Sequence, residues 1–82
     1  MNAETIKSEL QPIFAEIFSD SSIEITNELN AEKVDRWDSL THLSMIAKVE
    51  EHFAVKFKLK ELISMKNVGD MIQLILQKKE SL

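Results

Sequence analysis

Eighty-two residues, 44% of them apolar, 29% charged and 6% aromatic, describe a single domain over residues 1–82. A chain of this size buries roughly 60–65% of its unfolded surface, enough for one core but too little to wrap that core around a deep catalytic pocket. Ten basic residues against fourteen acidic ones give a net charge of −4, which opposes attraction to a phosphate backbone and argues against a nucleic-acid partner; residues 1–39 carry −6 and residues 40–82 carry +2.

One glycine and one proline are too few for the regularly spaced turns of a sheet protein, so helices are expected to dominate. Over residues 3–18, Ile6, Leu10, Ile13, Phe14, Ile17 and Phe18 recur at three- and four-residue spacings and predict a first amphipathic helix. Pro12 lies inside it, where its ring removes a backbone donor and crowds the preceding turn; the expectation is a kink there, or a helix that starts near Glu9. Ser19-Asp20-Ser21-Ser22 then reads as a stop. From Ser19 to Trp37 no helical period is sustained, so a long loop is expected, pinned by Ile23, Ile25, Leu29, Val34 and Trp37, with one short helical turn near Asn30–Lys33.

Residues 39–53 predict the second helix, opened by Asp38 or Ser39, either of which can accept an unpaired amide hydrogen. Its apolar residues sweep roughly 220°, wider than one core covers. Met45, Val49 and Phe53 lie on one side and Leu40, Leu43 and Ala47 on the other, so one group is expected to pack inward and the other to stay open beside Ser39. In the next segment Val55, Phe57 and Leu59 alternate with Lys56, Lys58 and Lys60. That is a strand pattern, but a lone strand has nothing to pair with, so an extended linker is expected, entering a short helix at about 59–64. Asn67 caps the last helix, with Asp70 in its first turn and Lys78 and Lys79 at its carboxyl end.

Asp38-Ser39-Leu40 is the chemically informative stretch because it joins a long loop to a helix amino terminus, where a phosphate on the serine meets unpaired amides and a partial positive charge. Asp38 could help hold a divalent cation during transfer of such a group. Taken alone, the same residues are the commonest helix caps. Asp38, Ser39 and His42 also supply the residue types of a hydrolytic triad, yet three residues within one turn do not give a base, an orienting group and an oxyanion site. There is no glycine near Ser39 to build a tight nucleophile turn. His42 points toward the apolar arc and is expected to be packed and hydrogen-bonded, and His42 and His52 lack metal-ligand spacing.

The wider pattern resembles the acyl carrier protein family over nearly the whole chain. The likeness rests on the first amphipathic helix, the long loop, Trp37-Asp38-Ser39-Leu40, then Leu43, Met45-Ile46, Val49, Glu50-Glu51 and Phe53, followed by Phe57 and Asn67-Val68. Trp37 before the tripeptide and His42 after it are most similar to stand-alone carriers. The resemblance implies an all-α, antiparallel four-helix bundle with a long first loop and a short third helix. It implies a non-catalytic carrier, with 4′-phosphopantetheine attached to Ser39 by a phosphopantetheinyl transferase, Asp38 assisting through a metal, and acyl or aminoacyl thioesters delivered to partner enzymes in fatty acid, polyketide or related biosynthesis. Leu40, Leu43, Ala47 and Glu50 are the implied docking residues. A chain without cysteine would draw its only thiol from the arm. With no bilayer-length apolar run and no basic-then-apolar amino terminus, a cytoplasmic protein without membrane insertion is expected, as a monomer.

Two features depart from the family pattern. The second helix holds only Glu50 and Glu51 against Lys48, and Lys56, Lys58 and Lys60 form a basic segment beyond it. The other class of function open to this chain is an unmodified helical interaction module, in which Ser39 is a cap and the open side of the second helix binds a partner.

Overall fold

A computed structural model describes residues 2–34 and 36–80. It contains four α-helices: α1, Ala3–Ile17; α2, Ser39–Phe53; α3, Leu59–Ser64; and α4, Val68–Glu80, with a single 3-10 turn at Ala31–Lys33 and no strand among the described residues. α1 is capped by Asn2, whose side chain accepts the Thr5 N–H at 2.9 Å. It runs unbroken through Pro12, so the helix does not begin at Glu9. Pro12 is on the exposed side, where water can meet the carbonyl that loses its partner.

The inward stripe of α1, Ile6, Leu10 and Phe14, is fully buried and continues into Phe18 just past the helix end. α1 packs against both α2 and α4. α2 contributes Met45, Ile46, Val49 and Phe53 to the same core, and α4 contributes Val68, Met71, Ile72 and Ile75. Burying each of these larger side chains stabilises the fold by about 1.5–3 kcal/mol before the entropy of ordering is subtracted.

The long loop is held by side chains and by backbone. Ile23, Ile25 and Leu29 are buried, Val34 and Trp37 pack partly against them, and the Gln11 carboxamide reaches from α1 to accept the Ile25 N–H at 3.4 Å and donate to the Ile23 carbonyl. Its middle is joined to the start of α4: Val68 N–H donates to the Leu29 carbonyl and Gly69 N–H to the Asn27 carbonyl, each at 2.9 Å. A Cβ at position 69 would lie 3.0 Å from that Asn27 oxygen, so a side chain there would press on the loop, and the chain's one glycine suits this close approach.

α2 ends at Ala54 in the left-handed conformation, φ 56°. The following segment is extended, as the sequence predicts, with Val55 and Phe57 buried and Leu59 turned out at the start of α3. The Glu50 carboxylate accepts the Phe57 N–H at 2.8 Å, satisfying a donor that a neighbouring strand would otherwise have taken. Lys78 of α4 reaches back to Glu61 of α3 at 2.8 and 3.0 Å.

Candidate functional site

The loop delivers the chain to α2 through an interlocked cap. The Asp38 carboxylate accepts the Thr41 N–H at 2.9 Å, and the Thr41 hydroxyl sits 2.8 Å from the Asp38 amide, which donates to it. That hydroxyl also donates to the Arg36 carbonyl at 2.7 Å, tying the last loop turn to the helix. Asp38 is thus the capping residue and Ser39 is the first residue of the helix. Of the two capping residues the sequence offers, Asp38 is the one used and Ser39 is not, and the Thr41 amide is turned toward the Asp38 carboxylate. Those hydrogen bonds, the Thr41 amide first, lower the carboxyl of Asp38 below its usual range, and it is ionised at neutral pH.

Ser39 is exposed, and its hydroxyl makes no hydrogen bond among the described residues. It lines an open groove of about 550 Å³ together with Ala31, Trp37, Asp38, His42 and Leu43. The exposed hydroxyl and the open groove fit attachment of a long, flexible group. Leu40 is 75% and Leu43 63% exposed, Ala47 is exposed beyond them, and Glu50 is half-buried with its carboxylate on the Phe57 amide. Leu40, Leu43 and Ala47 therefore lie on the open side, whereas Glu50 also holds the linker.

Trp37 and His42 form the wall of the groove. Trp37 packs edge-on to Phe14 and tilted against Phe18, with centroids 5.7 and 5.3 Å away, so the residue two before Ser39 is anchored in the core. Its indole N–H donates to His42 Nδ1 at 3.0 Å, with the two rings nearly parallel. Accepting at Nδ1 requires the neutral ring, and partial burial pushes the imidazole below its usual pKa. His42 is thus packed and hydrogen-bonded. Its Nδ1 is taken by Trp37 and the Asp38 cap is on Thr41, so Asp38, Ser39 and His42 do not form a proton relay. This Trp37–His42 bond, which closes the wall, has no signature in sequence beyond a five-residue separation. His52 is on another face, 2.7 Å from Glu9 of α1. No group of three or more metal-ligating side chains occurs among the described residues, and no described helix is long and apolar enough to cross a membrane.

No family model matches the chain, and no curated protein matches it. Among solved structures, the solution NMR structure of a holo acyl carrier protein from Geobacter metallireducens is 43% identical, covers 92% of this chain and 86% of its own, and superposes with a TM-score of 0.87. The chain belongs to the acyl carrier protein family. Membership makes it a non-catalytic carrier and accounts for the all-α arrangement with its long first loop and short third helix.

Proposed function

We propose that Ser39 carries 4′-phosphopantetheine on its Oγ and that the chain holds acyl or aminoacyl groups for partner enzymes in fatty acid, polyketide or related biosynthesis. The observation that supports this most directly is the division of labour at the start of α2. Asp38 makes the cap, so Ser39 keeps an exposed hydroxyl with no hydrogen-bond partner among the described residues.

Attachment is a substitution at phosphorus. Ser39 Oγ forms the new P–O bond, the bond from that phosphorus to the 3′,5′-ADP portion of coenzyme A breaks, and the hydroxyl proton passes to a base of the transferase. The ionised Asp38, one residue before, would offer a carboxylate oxygen to a magnesium ion brought by the transferase with coenzyme A, because hard cations prefer carboxylate and phosphate oxygens. Trp37, anchored on Phe14 and Phe18, fixes the approach of the loop so that Ser39 is presented at a constant place. When bound, the arm supplies the thiol that the cysteine-free chain lacks, and its thioesters activate the acyl carbonyl. Leu40, Leu43 and Ala47, with Glu50 at their edge, serve as the docking surface on the open side of α2. The working state is a cytoplasmic monomer.

Intact-protein mass spectrometry after incubation with coenzyme A, magnesium and a broad-specificity phosphopantetheinyl transferase tests the reading. The expected result is one added phosphopantetheine, on the peptide containing Ser39, and none on Ser39→Ala. Because Asp38 makes the cap, that variant is expected to change stability by no more than about 0.5 kcal/mol. No addition to the folded wild-type chain, with a control carrier modified in parallel, would leave the unmodified interaction module as the better account.

A further inference from the structure

We propose that α3 carries a second docking surface, for a protein whose apolar cleft is rimmed by carboxylates. Leu59 and Ile63 are one turn apart on the same face of this helix and are 73% and 74% exposed. Around them Lys56, Lys58, Lys60 and Lys66 are all exposed, and none of their ammonium groups forms an ion pair among the described residues. The acid within residues 54–66, Glu61, is already taken: its carboxylate accepts from Lys78 of α4 and from the Lys58 amide. Four of the seven lysines of residues 40–82 are therefore gathered around one aliphatic pair, with Glu61 and Asp70 as neighbouring carboxylates.

This face is held in place rather than loosely attached. Leu62 and Met65 pack against the core, Glu61 is bound to Lys78, and Lys78 lies 5.8 Å over the Phe57 ring. A six-residue helix is too short to be stable alone, so its outward pair is displayed by tertiary packing. The position is also suited to a carrier. Met65 and Lys66 line a small concavity with Trp37 and His42, and those two also line the groove at Ser39. The chain leaving α3 thus borders the wall of the groove at Ser39.

Charge complementarity selects the occupant. Four lysines around two aliphatic side chains call for carboxylates around an apolar cleft, which fixes register and speeds encounter. A membrane surface fits less well: α3 has only six residues, the patch contains no aromatic side chain, and the −6 carried by residues 1–39 would be repelled by anionic lipid. Loading of Ser39 is not required for this contact, so the inference can fail or hold independently of that reading.

The test is an NMR titration of the full ¹⁵N-labelled chain with two synthetic amphipathic helical peptides sharing one leucine face, one rimmed by glutamate and the other by lysine, and with phosphatidylglycerol–phosphatidylcholine vesicles. Expected are shifts confined mainly to residues 56–66 with the glutamate-rimmed peptide, unchanged in Ser39→Ala. Affinity should fall at least about tenfold in K56E/K58E/K60E and again with added salt. Leu59→Ala/Ile63→Ala should weaken it by a similar factor, with the melting curve little changed. Equal binding of both peptides, or shifts centred on another helix, would overturn the proposal. Binding of vesicles but not peptide would do the same in favour of a lipid surface, and so would self-association in sedimentation that K56E/K58E/K60E abolishes.

Discussion

Met45, Val49 and Phe53 are at most 2% exposed, whereas Leu40 and Leu43, on the same helix and of the same chemical kind, are 75% and 63% exposed. The difference lies in what surrounds α2. One side meets α1 and the shared core, while the other faces the groove beside Ser39, where no element among the described residues covers Leu40 or Leu43. The cost of leaving two leucines in water is small for the fold and gives a carrier an apolar surface to present. The inner side accounts for stability, and the outer side is free to be selected for recognition.

The sharpest way to break this comparison is Phe53→Ala, which is expected to cost about 3–5 kcal/mol in urea unfolding, much of what so small a domain has. A near-neutral result would mean that the two sides of α2 do not differ as described. Removal of the cap comes next. Asp38→Ala is expected to lower the melting temperature clearly, whereas Asp38→Asn keeps an acceptor for the Thr41 amide and loses less; equal losses would point to the charge, not the hydrogen bond.

A smaller effect is expected from pH at the wall of the groove. His42 has a lowered pKa in the folded state, so the unfolded chain binds the extra proton first as pH falls. Its contribution is fully present above pH about 6.5 and is lost as pH falls from there through the folded pKa. Denaturant unfolding at pH 8 and pH 5 should show a smaller difference in His42→Gln than in the parent chain, and an unchanged difference would locate the pH dependence elsewhere. Smallest of all, Leu40→Ala and Leu43→Ala are expected to shift stability by no more than about 0.5 kcal/mol while slowing acyl transfer to partner enzymes. Losses as large as that of Phe53→Ala would place these leucines among the core residues.

The helix boundaries were largely legible because their causes are local. The three- and four-residue spacing, the capping side chains of Asp38 and Asn67, and the scarcity of glycine and proline act within a turn or two of chain. The same locality explains the extended segment 55–58: its alternating pattern is real, since Val55 and Phe57 do face inward, but with no strand among the described residues to pair with it stops at α3. Pro12 was less legible, because its cost depends on whether the abandoned carbonyl faces water.

The site divides along the same line. The sequence by itself determined that a serine follows a long loop at the mouth of an amphipathic helix with more apolar surface than one core can cover, since residue type and helical period alone set that. Only the tertiary structure decided that Trp37 anchors in the Phe14–Phe18 cluster and bonds His42, that Glu50 holds the Phe57 amide, and that Leu59 and Ile63 face out among lysines. Each of these depends on which donors and surfaces remain unsatisfied once the helices have packed, a property that belongs to the assembled core and to no single segment of the chain.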